Sequence, residues 1–285
     1  MSTTIWIDGK WYDRSTAMIS VFDHGLLYGD GVFEGTRAYN GKVFKLREHV
    51  ARLFDSAKCI WLDPPISQEE LVQVTEEGVR RSGLKDAYLR HLVTRGVGDL
   101  GLDPRKCPTP SVFVIIDQIK LWSPERYEQG LKVVTAATPI PHKESLSPRV
   151  KSLNYLCHIL AKIEGINAEA DEVLMMDSSG SVVEASGQNV FIVKNGELFT
   201  PPPHAGILKG ITRDTVIELA RGAGYPVHET ILNRYDIYTA DEAFLTGTAS
   251  EIAAIRELDG RTIGQGKQGT ITRDLSQRFQ AYVRD

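Results

Sequence analysis

Lys151 stands in Arg149-Val-Lys-Ser-Leu-Asn-Tyr155, which reads as the end of an extended segment followed by a tight turn. A helix is expected over 156–164, where Leu156, Ile159, Leu160 and Ile163 recur at i, i+3, i+4 and i+7 and predict an apolar stripe docked on a core. A lysine placed where a strand stops and a packed helix begins, away from bulk water, can lose its proton near neutral pH and attack a carbonyl. Other segments carry groups suited to accompany such an amine. Glu184 closes a short strand before Ala-Ser-Gly, and Thr248 lies in the Gly-Thr-Ala turn of Thr246-Gly-Thr-Ala-Ser250. Leu208-Lys-Gly-Ile-Thr212 immediately precedes a helix, with Thr212 as its expected cap. The first N–H groups of that helix, at Ile211 and Thr212, have no acceptor within it and form an anion site. Arg52 lies off the apolar stripe of its own helix. Each of these residues alone would be an ordinary surface or core group; the set in fixed order carries the weight.

The elements that must position them follow from local patterning. Asp8-Gly9, Asn40-Gly41, Asn195-Gly196 and Asp259-Gly260 sit between β-rich runs and suit type I′ hairpin turns. A helix over 47–61 has Val50, Leu53, Phe54, Ala57 and Ile60/Trp61 on its buried stripe, which leaves Glu48-His49 on a solvated face. Ser67-x-x-Glu70 is a capping box opening a second helix, ended by Gly83. Strands are expected at 87–94 and 111–118, then at 131–138, 172–176, 182–184, 189–194, 197–200, 242–246 and 251–258, with a terminal helix over about 270–282. Many short strands and few helices, in a non-alternating order, argue for an α+β class against a doubly wound sheet. The expected organisation is a small α+β domain at 1–118, a linker at 119–129 and a large domain at 130–285.

With 285 residues, a formal charge of −4 and 42% hydrophobic content, the chain has an ample core and no electrostatic footprint for nucleic acid or an anionic membrane. No apolar run approaches the ~20 residues that span a bilayer, and the N-terminus lacks the marks of a secretory signal. Cys59, Cys107 and Cys157 are far apart, odd in number and never in Cys-x-x-Cys. They read as reduced thiols and a cytoplasmic setting. Gly96-Val-Gly-Asp-Leu-Gly101 spells a dinucleotide fingerprint, but Pro104, Pro108 and Pro110 follow it where the required helix should begin. Seven scattered histidines, with no His-Glu-x-x-His, give no metal site.

The ordered motifs Lys151-Ser-Leu-Asn-Tyr155, Val183-Glu-Ala-Ser-Gly-Gln-Asn-Val-Phe191, Leu208-Lys-Gly-Ile-Thr-Arg213 and Thr246-Gly-Thr-Ala-Ser-Glu-Ile252 resemble those of class IV aminotransferases. These are pyridoxal-phosphate enzymes of fold type IV, and the resemblance is closest to branched-chain amino acid aminotransferases. It implies a two-domain α+β fold with mixed sheets and the active site between the domains. It implies pyridoxal 5′-phosphate as cofactor, with Lys151 as the Schiff-base lysine, Tyr155 donating to the ring oxygen and Glu184 beside the ring nitrogen. Leu208 would support the ring face, while Gly210, Ile211, Thr212, Thr248 and Arg52 would serve the phosphate. Tyr28-Gly-Asp-Gly-Val-Phe-Glu-Gly35 and Tyr88-Leu-Arg90 resemble the substrate segments. They imply Tyr88 with the Thr248 and Ala249 amides on the α-carboxylate, Phe33 against an aliphatic side chain, and Arg90 with Tyr28 for glutamate's side-chain carboxylate. The implied reaction is transamination of branched-chain L-amino acids with 2-oxoglutarate. The loop at 99–104 resembles one that reaches a neighbouring active site, which implies a homodimer or higher homo-oligomer. His91 departs from a proline, and Asp30 from a small polar residue, in the pattern. Asp30 keeps D-amino acid aminotransferase and aminodeoxychorismate lyase activities open as alternatives on the same fold. A non-catalytic protein that kept the fold is disfavoured by the retention of Lys151, Tyr155, Glu184 and Arg52.

Overall fold

The computed structural model describes residues 3–285. It divides into two compact units, one running to Ile119 with Val150–Asn154 added, the other comprising Lys120–Arg149 and Tyr155–Asp285. The stretch holding Lys151 therefore packs with the first unit, although it lies far along the chain.

In the first unit, among the described residues, β1 (Thr4–Ile7), β2 (Lys10–Asp13), β3 (Gly31–Tyr39), β4 (Lys42–Val43), β5 (Ala87–Thr94) and β6 (Ser111–Asp117) form one antiparallel sheet in the order β2-β1-β6-β5-β3-β4. Asp8 and Gly9 both take positive φ (44° and 91°), as do Asn40 and Gly41 (51° and 83°), which is the backbone a type I′ turn demands. Helices α1 (His24–Tyr28), α2 (Leu46–Cys59) and α3 (Gln68–Ser82) accompany the sheet. Val50, Leu53 and Ala57 of α2 and Leu71, Val72 and Val79 of α3 share one buried core with Val32, Leu89, Val114 and Ile116. Ser67 and Glu70 close the expected capping box, and Gly83 ends α3 in the left-handed region. His49 corrects the expected solvated face: it is buried, because α2 turns a polar edge as well as its apolar stripe towards β3.

The second unit opens with α4 (Pro124–Gln129), a short helix inside the stretch expected to be an irregular linker; Pro124 at its first turn supplies a preset φ. Then come β7 (Leu131–Thr135), α5 (Leu156–Asn167), β8 (Glu172–Met176), β9 (Val182–Ala185), β10 (Asn189–Lys194), β11 (Glu197–Thr200), α6 (Ile211–Gly222), β12 (Val227–Glu229), α7 (Arg234–Tyr238), β13 (Glu242–Gly247), β14 (Glu251–Leu258), β15 (Arg261–Thr262) and α8 (Thr270–Arg284). Among the described residues the strands make one mixed sheet, β12-β11-β10-β13-β14-β7-β8-β9 with β15 beside β14, parallel at β11·β12, β14·β7 and β7·β8. Asn195-Gly196 and Asp259-Gly260 again take paired positive φ. The mixed α+β class expected from the sequence is the class observed.

The orientation of α5 reverses the expectation. Leu156, Ile159, Leu160 and Ile163 are 46–66% exposed, and the buried residues of α5 are Ala161 and Gly165. The helix meets β8 so closely that only small residues fit between them. A Cβ on Gly165 would lie 2.6 Å from Cγ1 of the fully buried, β-branched Val173. Gly→Ala within an exposed helix ordinarily stabilises by up to ~1 kcal/mol. Here overpacking at ~1–3 kcal/mol outweighs that gain. Gly165→Ala should therefore lower the urea midpoint of unfolding, and a raised midpoint would contradict this packing.

Candidate active site

The 150–154 segment lies along the free edge of β3. Phe33 N–H donates to Lys151 O at 2.9 Å, and Leu153 N–H donates to Gly31 O at 2.9 Å. Lys151 N–H also donates to Ser56 Oγ on α2 at 3.2 Å, and Asn154 Nδ2 donates to Gly29 O at 2.9 Å. These four bonds fix the backbone of a half-buried lysine whose Nζ lies 4.5 Å from the centroid of the Phe33 ring. The Arg90 guanidinium carbon is 4.7 Å from the same centroid and 5.6 Å from that of Tyr88, and Arg90 Nη2 donates to Tyr88 Oη at 3.2 Å. Two cations thus meet one aromatic ring. Gly35 makes room for this group, because a Cβ there would stand 2.2 Å from Tyr88 Oη.

Strand alternation sends Glu34 to the opposite face from Phe33. There its carboxylate, 1% exposed, accepts from Arg52 Nε at 2.6 Å, Arg52 Nη2 at 2.9 Å and His49 Nδ1 at 2.8 Å. Burial pushes the Glu34 carboxyl up, but Arg52 and His49 outweigh it and hold the group well below the usual range. Burial also pushes His49 down, against the pull of Glu34. The consistent state is a neutral His49 donating Nδ1–H to an ionised Glu34, with Arg52 carrying the compensating charge. Arg52 is thus an arginine held by a carboxylate rather than a solvated one. Glu34 and His49 escaped the sequence reading. The available signal was a glutamate directly after Val32-Phe33 at the start of a strand.

The two departures from the family pattern become structural. Asp30 makes a two-point ion pair with the buried Arg95 (2.9 and 3.0 Å), which also donates to the Trp61 and Ile60 carbonyls (2.6 and 2.7 Å). Asp30 therefore ties the start of β3 to the end of α2. His91, opposite Glu34 in the β3–β5 register, is buried with Nε2 3.0 Å from Thr75 Oγ1. Thr75 donates its own proton to Leu71 O at 2.6 Å, so His91 must donate Nε2–H, and it is neutral. Tyr28 Oη donates to Leu100 O at 2.5 Å, tying α1 to the 99–104 loop of the same chain.

In the second unit Glu184, also buried, accepts from Leu208 N–H at 3.1 Å and Asn189 Nδ2 at 3.2 Å. Asn189 Nδ2 donates as well to Leu208 O at 2.9 Å. A Cβ on Gly210 would lie 2.0 Å from Asn189 Oδ1, so glycine is required where the 208–210 strap crosses. Gly210, and not the expected Thr212, is the N-cap of α6. This places Ile211 and Thr212 at the first two helical positions, whose N–H groups have no intrahelical acceptor. Tyr155 is the N-cap of α5, half-buried and stacked on His158 at 4.4 Å. Thr248 and Ala249 are half-buried in the β13–β14 turn. Beside them the Thr246 and Ser250 hydroxyls are buried with no partner among the described residues. The first unit thus offers a half-buried amine and a carboxylate-held arginine, and the second a buried carboxylate and a helix N-terminus. Among the described residues, no group of three or more His, Cys, Asp or Glu is placed to hold a metal.

Residues 31–258 match the family model described as amino-transferase class IV, and the chain belongs to that family. A putative branched-chain-amino-acid aminotransferase of Methanocaldococcus jannaschii is 52% identical over 275 residues, covering 96% of this chain and 94% of its own length. The branched-chain-amino-acid aminotransferase of Pseudomonas aeruginosa is 40% identical, covering 96% and 91%. The crystal structure of a T.th. branched-chain amino acid aminotransferase with pyridoxamine 5′-phosphate superposes with a TM-score of 0.95 at 35% identity, over 100% of this chain and 96% of that one. The enzyme from Thermoproteus uzoniensis with norvaline gives 0.93 at 38% identity, over 100% and 95%.

Burial depresses His91 to about 4 from an ordinary 6.5. The unfolded chain then binds the proton first, so stability attributable to His91 is full above pH 6.5 and falls as pH drops towards 4, by on the order of 3 kcal/mol. The difference in unfolding free energy between wild type and His91→Gln, followed against pH, should change across that window. A pH-independent difference would mean that His91 is not a buried neutral base.

Proposed function

We propose that the chain transfers the amino group between branched-chain L-amino acids and 2-oxoglutarate with pyridoxal 5′-phosphate. Pyridoxal 5′-phosphate, when bound, supplies an aldehyde that captures an amine and a cationic ring that takes up the electron pair released at the substrate Cα. Lys151 would hold the aldehyde carbon and, as a free amine, would carry a proton at the substrate Cα. Such positioned proton transfer is typically worth ~10²–10⁴ in rate. Glu184, locked by Asn189 and Leu208, offers a carboxylate to the ring nitrogen and keeps it protonated. Tyr155 donates to the ring oxygen, and Leu208 supports the ring face. Ile211 and Thr212 N–H, with Gly210, Thr248 and the Glu34-held Arg52, serve the phosphate.

Substrate choice rests on one observation. Arg90 stands over Phe33 beside Tyr88, and its Nε is buried with no partner among the described residues. An apolar wall and a cation with a spare donor can receive an aliphatic side chain in one half-reaction and the side-chain carboxylate of glutamate in the other. Tyr28 could join only by exchanging its bond to Leu100. Tyr88 and the Thr248 and Ala249 amides would take the α-carboxylate.

The exposed stripe on α5 supports a homodimer or higher homo-oligomer, since so much apolar area on one helix asks for cover. Among the described residues no helix is long and apolar enough to cross a membrane. The three free cysteines support a cytoplasmic setting.

If Arg90 receives the side-chain carboxylate, its loss strands an anion in a largely apolar pocket, which typically costs ~2–5 kcal/mol, or roughly 30- to several-thousand-fold. Arg90→Leu should cut the glutamate half-reaction far more than the leucine half-reaction, each followed by single-turnover cofactor absorbance. Equal losses would place Arg90 on the α-carboxylate or in the fold alone. A wild-type enzyme faster on D-alanine than on L-leucine would replace the L-specific reading with the D-specific one.

A further inference from the structure

Glu172, at the start of β8, is 2% exposed and is used by none of the roles above. One oxygen accepts from Ser186 Oγ at 2.6 Å and from Val173 N–H at 2.9 Å. The other accepts from Lys162 Nζ of α5 at 3.0 Å and from Gln188 Nε2 at 3.3 Å. The carboxylate therefore grips both ends of the Ser186-Gly187-Gln188 turn, which joins the strand of Glu184 to the strand of Asn189. That turn abuts a second one. A Cβ on Gly247 would lie 3.3 Å from Gln188 Cγ and 3.3 Å from Gly187 O, so the Gly247–Ser250 turn rests closely against it. The second turn makes no compensating hydroxyl bonds, because Thr246 Oγ1 and Ser250 Oγ are buried without partners among the described residues.

We infer that Glu172 is a positioning residue: through Ser186 and Gln188 it sets the 186–188 turn as the rest on which the Thr248 and Ala249 amides are aimed at the substrate α-carboxylate. This rests on the proposed role of those two amides. A buried carboxylate is costly unless its acceptors are filled, and here three side chains and a backbone N–H fill them. The turn is thus held by charge-assisted bonds that a thermal fluctuation breaks less readily than a single neutral bond.

The test uses the holoenzyme with 4-methylvalerate, a branched carboxylate without an amine, its dissociation constant read from cofactor absorbance. Isoamylamine, with the amine and no carboxylate, is the control. Ser186→Ala should raise the 4-methylvalerate constant about tenfold, equivalent to loss of one charge-assisted bond. It should leave isoamylamine binding and cofactor affinity near wild type, while the uncompensated Glu172 lowers the melting temperature by a few degrees. Ser186→Thr, which keeps the hydroxyl, should restore tight binding, and Gln188→Ala should give a smaller rise in the same direction. An unchanged constant in Ser186→Ala, or a fall in melting temperature with both ligands weakened alike, overturns the inference. Failure of the wild-type holoenzyme to bind 4-methylvalerate at all would instead overturn the reading of the carboxylate site itself.

Discussion

Two backbone hydrogen bonds between β3 and the 150–154 segment, Phe33 N–H to Lys151 O and Leu153 N–H to Gly31 O, are the constraint on which the first unit's chemistry depends. They bring a lysine from far along the chain alongside Phe33. Because side chains alternate along β3, the same strand offers Phe33 to Lys151 and Arg90 on one face and Glu34 to Arg52 and His49 on the other. A one-residue slip in register would exchange the two faces and set Phe33 against Arg52 and His49. The register is pinned by eight β3–β5 residue pairs, by Gly35 yielding to Tyr88, and by the Asp30–Arg95 pair at the strand's start.

Three buried glutamates recur as the means of holding polar groups still: Glu34 for Arg52, Glu184 for the 208–210 strap, and Glu172 for the 186–188 turn. In each case desolvation is offset because the carboxylate has close donors. Removal of a single donor would leave part of that desolvation uncompensated, so the partners of each glutamate are as constrained as the glutamate. Such groups keep their geometry without ligand, which spares the site reorganisation when charge moves during the reaction.

What was legible in the sequence was mostly local. The four Asn/Asp-Gly turns, the Ser67–Glu70 box and the strands that they flank are decided within a few residues, and the sequence carries those instructions directly. Periodicity at Leu156, Ile159, Leu160 and Ile163 correctly marked an amphipathic helix but could not say what the apolar face meets; the sheet took Ala161 and Gly165. His49 was misplaced for a related reason, since its partner, Glu34, comes from a different element and only the fold brings them together. Lys151, Glu184 and Arg52 stood out as chemical types, whereas Glu172 and Glu34 gave no local sign beyond a charge beside apolar strand residues.

The backbone pairing beside β3 is proposed to present Lys151 as the amine that carries the cofactor. Borohydride reduction of the purified holoenzyme, followed by peptide mapping, tests it most directly. Bleaching of the yellow colour and a stable pyridoxyl group on Lys151 are the expected result. A pyridoxyl group on Lys143, Lys162 or Lys209 with Lys151 unmodified would contradict it.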